Sequence, residues 1–179
     1  MIKEKTPFVI AISAVSGGGK TTITKLLNQE LHNSKVLFFD EYDFNGPDDI
    51  INWVDNGGDA NDWDVNPLIK DFQVLLTESL DYIILDFPFS YKHCQVSKFI
   101  DFSIFIDTPL DIALARRVTR DFCNSSTEDI LSDMKNYTSR GRRGYLNMLE
   151  TIKPDADFVV DGTLQAAEVI NVILDNIKN

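Results

Sequence analysis

The stretch Ala14-Val15-Ser16-Gly17-Gly18-Gly19-Lys20-Thr21-Thr22 gathers residue types suited to gripping phosphate. Glycines let backbone N–H groups turn toward an anion, a lysine adds a point charge, and a helix starting there contributes its positive end. Gly19, Lys20 and Thr21 complete the second half of the pattern G-x-x-x-x-G-K-[ST], with Ala14 standing where the first glycine is usual. That glycine chiefly allows a tight exit from a strand, and alanine serves as well if φ there stays negative. Val15, Ser16, Gly17, Gly18, Gly19, Lys20, Thr21 and Thr22 are therefore expected to wrap a nucleotide triphosphate. In such a loop the lysine reaches the β- and γ-phosphates and the hydroxyl after it ligates Mg²⁺, here Lys20 and Thr21.

A loop of this kind needs a strand before it and a helix after it. The apolar run Phe8–Ala14 and the helical stretch Lys20–His32 provide both. Further apolar runs, Lys35–Phe39, Tyr82–Leu85, Phe102–Ile106 and Phe158–Val160, read as buried parallel strands, being continuous rather than alternating. Helical stretches separate or follow them at Pro67–Leu80, Leu110–Asp121, Glu128–Thr151 and Leu164–Ile177. The alternation predicts one α/β domain over residues 1–179, a five-stranded parallel sheet with helices on both faces.

Composition narrows the function classes. A formal net charge of −11 argues against a broad nucleic-acid footprint, so an anionic ligand must be held by a local group of donors. Cys94, Cys123, His32 and His93 are the only residues of their types and suggest neither a zinc site nor a disulfide framework. No run approaches the ~18 apolar residues of a membrane span, and the N-terminal apolar run is short for a signal peptide. The expectation is a cytoplasmic protein. In the acidic segment 41–66, Asp55, Gly57 and Asp59 hint at a calcium loop, but Ala60 and Asn66 occupy the positions that need Gly and Glu. That segment reads as an acceptor-binding insert or a solvated loop.

Three kinds of protein use such a phosphate loop. A signalling GTPase would carry an NKxD guanine reader, which is absent, and a deviant dimeric ATPase would carry lysine where Val15 stands. A small-molecule kinase needs a carboxylate to orient an acceptor hydroxyl and arginines for the transferring phosphoryl group, and this chain has both.

The segments ISAVSGGGKTT, VLFFDEYDF, YIILDFPF, LARRVTRD and ADFVVDGT follow one another in the order and spacing of the uridine kinase family. The chain resembles that family and its relatives, the nicotinamide riboside kinases and phosphoribulokinases, over nearly its whole length. The resemblance implies a P-loop NTPase fold of the nucleoside/nucleotide kinase type, its five strands ordered 2-3-1-4-5, with a small lid at about residues 116–127. It implies ATP and Mg²⁺ as cofactors and a small-molecule hydroxyl acceptor, a nucleoside or similar ribosyl compound, as partner. The rival reading is a nucleotide-binding switch that hydrolyses ATP slowly and has no acceptor.

Residue by residue, Asp40 in FFDEYDF matches the family's aspartate beside the acceptor hydroxyl, although aspartate also caps turns after strands. Asp86 ends a strand like the family's Walker B strand and is expected to bind Mg²⁺ through water or to polarise the acceptor. The family more often has Glu-Gly where Asp86-Phe87 stands. In ALARRVTRDF, Arg116 and Arg120 lie four apart and share a helix face over the triphosphate, whereas Arg117 is expected on a solvated face with Asp111 and Asp121. Gly162 in VVDGT matches the family's adenine loop. Asp62 and Asp64 match acceptor-binding positions, with Tyr42, Phe44, Trp53 and Trp63 available to stack on a base. The basic run Ser139–Tyr145 reads either as an anion contact or as a solvated turn.

Overall fold

Alternate residues of the first apolar run face opposite sides of one sheet, and both sides are buried. In the computed structural model, which describes residues 6–177, strand β1 spans Phe8–Ser13. Val9 and Ala11 pack into one hydrophobic layer, while Ile10 and Ile12 pack into the other. A strand covered on both faces gains nothing from polar alternation, which explains its continuous apolar run.

Helix α1 (Lys20–Glu30) follows β1, then β2 (Ser34–Phe38), α2 (Ile50–Asp55), α3 (Asn66–Leu76) and β3 (Tyr82–Asp86). The chain continues through α4 (Cys94–Ser97), β4 (Phe102–Asp107), α5 (Leu110–Asp121), α6 (Thr127–Asn136), α7 (Arg142–Thr151), β5 (Phe158–Asp161) and α8 (Ala166–Ile177). The five strands are parallel, as the alternation predicted, in the order β2-β3-β1-β4-β5 that the resemblance implied. Leu68, Phe72 and Leu75 of α3 cover one face, while Ile23 and Leu27 of α1 join Val169, Ile170 and Ile173 of α8 on the other.

Two expectations need correction. The stretch Glu128–Thr151 is not one regular helix: a π-helical turn, Tyr137–Gly141, divides α6 from α7. Gly141 weakens the regular helix there, and the extra residue in the turn resets which side of α7 faces inward. The segment 41–66 is also more ordered than a solvated loop. Asp49 caps α2 through the N–H groups of Ile51 and Asn52, and Asp59 caps a 3₁₀ turn, Ala60–Asp62. Caps are local signals that hydrophobic periodicity does not report.

Candidate active site

The phosphate loop forms where β1 ends and α1 begins. Gly17 and Gly19 have φ of 79° and 99°, the left-handed region that favours glycine. Ala14 needs no such freedom, because Asn33 and Ser90 are the only non-glycine residues with positive φ among the described residues. Its methyl group instead takes room that a side chain at position 18 would require: a Cβ on Gly18 would lie 2.9 Å from the Ala14 Cβ. The loop is closed by Gly18 N–H donating to Val15 O at 2.8 Å and tied to the end of β4 by Thr108 Oγ1 donating to Gly18 O at 2.9 Å.

Parallel register sets the next group. Asp86, the last residue of β3, pairs with Ile12 of β1 on one side and Phe38 of β2 on the other. It therefore emerges beside the loop. Thr21 Oγ1 donates to Asp86 Oδ2 at 2.9 Å, and Lys20 Nζ forms an ion pair with Asp86 Oδ1. Burial pulls the Lys20 ammonium down to about 8, the negative charge of Asp40 opposing the fall and Arg120 adding to it.

Two residues past β2, Asp40 sits in the 3₁₀ turn Phe39–Glu41. Phe39 anchors that turn in an aromatic cluster, with ring centroids 4.6 Å from Phe44, 5.5 Å from Phe89 and 5.7 Å from Phe87. Asp40 faces a cleft of about 490 Å³ lined by the phosphate loop together with Arg116 and Arg120. Arg116 also donates to Gly162 O at 3.3 Å and borders a second cleft of about 250 Å³ with Gly18, Thr22 and Leu164. Arg120 is held by Asp121 through Nε at 2.6 Å and Nη2 at 3.1 Å, and it stays largely exposed. The structure thus gathers Lys20, Thr21, Asp40, Arg116 and Arg120 around one cleft, with Asp86 buried behind Lys20 and Thr21 and Gly162 next to it.

Arg117 differs from the expectation. Instead of a solvated face with Asp111 and Asp121, it makes a fork to Asp133 of α6 at 3.2 and 2.5 Å and is mostly covered. Arg116 and Arg120 belong to the same α5–α6 hairpin, and this clamp is its brace. A capping box, Ser126 with Asp129, starts α6 just beyond the turn.

Beside the phosphate cleft lies a larger cavity, about 660 Å³, walled by Trp53, Trp63, Phe89, Tyr145 and Met148. Ser16, Phe39, Pro88 and Met148 line both spaces, so the two adjoin at Pro88 and the loop. Tyr42, Asp62 and Asp64 do not line this cavity. The Tyr42 hydroxyl donates to Asp71 of α3 at 2.9 Å, Asp62 accepts from Trp53 Nε1 at 3.1 Å, and Asp64 accepts from Asn66 N–H at 3.1 Å. The three hold the insert together rather than facing the space. Sequence reasoning missed Phe89, Tyr145 and Asn147, which reach the wall from the loop after β3 and from α7. A signal for α7 was the basic run around Arg140. Arg140 binds Asp49 at 2.8 Å and Arg143 binds Asp55 at 2.8 Å, stapling α7 to α2 across the cavity. Within the basic run, Arg140 and Arg143 thus serve as ion-pair partners of the segment around α2.

A phosphate loop between the first strand and first helix of a parallel 2-3-1-4-5 sheet, with a Walker B-like carboxylate and lid arginines, defines a P-loop NTPase of the kinase type. The model of the phosphoribulokinase / uridine kinase family matches residues 55–169, and the chain belongs to that family. It is thereby a phosphotransferase. The uridine kinase of Ligilactobacillus salivarius is 22% identical, covering 99% of this chain and 95% of its own length. The uridine kinase of Borrelia hermsii is 26% identical, covering 85% of each chain. Among solved structures, deoxyadenosine kinase from M. mycoides with bound dATP superposes with a TM-score of 0.54 at 16% identity, covering 96% of this chain and all (100%) of the other. TT1252 from Thermus thermophilus gives 0.55 at 15% identity over 97% of each. These two likenesses concern the fold alone.

Proposed function

We propose that the protein transfers the γ-phosphoryl group of ATP to a hydroxyl of a nucleoside or similar ribosyl metabolite. One observation carries the reading: Asp40 and two arginines face the phosphate-loop cleft, and that cleft opens into a separate aromatic cavity large enough for an acceptor. A protein that only hydrolysed ATP would have no use for the second space.

The loop residues 15–22 hold the triphosphate through backbone N–H groups and the start of α1, and the Lys20 ammonium exchanges Asp86 for phosphate oxygens. The cleft bordered by Arg116, Gly162 and Leu164 takes the adenine side. Asp40 aims the acceptor hydroxyl in line with the γ-phosphorus and later accepts its proton. Arg116 and Arg120 neutralise the oxygens of the group in transfer. Among the described residues no cluster of three or more His, Cys, Asp or Glu gathers, so the protein by itself offers no closed metal cage. The neighbouring oxygens of Thr21 and Asp86 fit Mg²⁺ held jointly with phosphates, where it would offset charge on the β- and γ-oxygens. Among the described residues no helix is long and apolar enough to cross a membrane, which suits a cytoplasmic enzyme acting on a diffusible metabolite.

The test is a screen of nucleosides and sugars against ATP turnover. Acceptor-stimulated ADP release together with a phosphorylated acceptor supports the reading. ATP hydrolysis indifferent to every acceptor supports the switch.

A further inference from the structure

The acceptor cavity is mostly apolar, and its few polar side chains are nearly all committed elsewhere. Lys92 pairs with Asp155 at 2.5 Å, and Thr151 Oγ1 turns back to Asn147 O at 2.7 Å. Asp59 caps the 3₁₀ turn, its Oδ1 accepting from Asn61 N–H at 2.9 Å and Asn61 Nδ2 at 2.7 Å. The Tyr145 hydroxyl is hydrogen-bonded to Ser16, and burial pushes its pKa up, so it stays protonated.

Asn147 is different. Gly144, Asn147, Met148 and Thr151 lie on one face of α7, three and four residues apart, and all four line the cavity. The half-buried side-chain amide of Asn147 has no hydrogen bond among the described residues. Across from it Gly58 adopts φ +60°, and a Cβ there would lie 3.3 Å from Asn147 Nδ2, so glycine at this position leaves the amide uncovered. A second uncommitted donor belongs to the same wall: Trp63 Nε1 is buried without a partner among the described residues. An unpaired polar group on an apolar wall is unfavourable until a ligand satisfies it, which makes it a strong discriminator between ligands.

We propose that Asn147 selects the acceptor, its carboxamide reading an adjacent donor–acceptor pair on the edge of a neutral flat ring packed among Trp53, Trp63 and Phe89. The proposal rests on the kinase reading, since it assigns the larger cavity to the acceptor. An amide presents one donor and one acceptor side by side, the complement of a cyclic amide or amidine edge. The ring is neutral because the one lysine on the wall already has its carboxylate.

Titration calorimetry with Mg²⁺ and a non-hydrolysable ATP analogue tests this using two probe pairs. These are uridine against 3-methyluridine, and adenosine against N6,N6-dimethyladenosine, each methylation blocking the edge. In the wild-type protein at least one unblocked member should bind about tenfold or more tighter than its blocked partner. Asn147→Ala should reduce that ratio to about twofold by weakening the unblocked member alone, with the thermal midpoint and the affinity for the ATP analogue unchanged. Asn147→Asp, which keeps the shape and loses the donor, should also abolish the preference. An undiminished ratio in both variants overturns the proposal, and so does failure of both pairs to bind the wild-type protein. A separate transfer assay with ATP divides the two readings. Edge-dependent binding without transfer leaves Asn147 its role and removes the kinase reading, whereas transfer indifferent to Asn147 does the reverse.

Discussion

Thr21 Oγ1 donates to Asp86 Oδ2 at 2.9 Å while Lys20 pairs with the other oxygen of the same carboxylate, so one buried group at the end of β3 holds two phosphate-loop side chains. Asp86 is 1% exposed, and among the described residues Lys20 is the cation that pairs with it. The carboxylate thus arranges the loop before nucleotide arrives.

Asp86→Ala should therefore destabilise the nucleotide-free protein by about 2–4 kcal/mol, because removing one partner strands the other in a largely buried place. Urea unfolding with and without saturating Mg²⁺–ATP checks it. ATP should narrow the gap between variant and wild type, since phosphate oxygens then compensate Lys20. A gap that ATP leaves unchanged would mean that Asp86 acts through packing alone.

Asp40→Asn should lower the transfer rate by about 10²–10⁴-fold, the usual consequence of losing a general base. ATP affinity by calorimetry should stay near wild type, because Asp40 belongs to the turn after β2 rather than to the phosphate loop. Wild-type turnover in the Asn variant would make Asp40 a turn residue and shift the proton to another carboxylate.

Arg120 is largely exposed and lightly held by Asp121, so it is free to move onto a phosphoryl group. Arg120→Ala should lower kcat much more than it raises KM for ATP, the pattern of a contact made chiefly in the transition state. Arg117→Ala should behave otherwise: it loses the fork to Asp133, lowers thermal stability and leaves the ratio of kcat to KM effects without that bias.

Ala14→Gly should leave ATP affinity within about a few-fold of wild type, because Ala14 has no positive φ to relieve. Gly18→Ala should be severe, since its Cβ would meet the Ala14 methyl at 2.9 Å and Val15 O at 2.8 Å. The double variant Ala14→Gly/Gly18→Ala should recover only part of the loss, because the clash with the Val15 carbonyl remains. Full recovery would assign the whole penalty to the methyl pair.

The phosphate loop was legible because its residues are consecutive: a strand, a glycine-rich turn and a helix start lie within Phe8–Thr22, and short-range geometry settles their placement. The parallel sheet was legible for a related reason, since continuous apolar runs announce doubly covered strands, whereas its order came from the family resemblance. Asp40 and Asp86 followed from being strand ends, where parallel sheets present side chains to ligands. The aromatic cavity was not legible. Its wall is drawn from Phe39, Trp53, Trp63, Phe89 and Tyr145, far apart in the chain, and none carries a local sign of which way it faces. That Arg116 and Arg117 point different ways was legible, since adjacent helical residues point about 100° apart, but only packing decided that Arg117 braces the hairpin against Asp133. The π-helical turn at Tyr137–Gly141 has no local signature of comparable strength, and the ion pairs of Arg140 with Asp49 and Arg143 with Asp55 join residues far apart in the chain. Chain-local chemistry determined the grip on phosphate, and only the folded arrangement of distant side chains decided what shares the site with it.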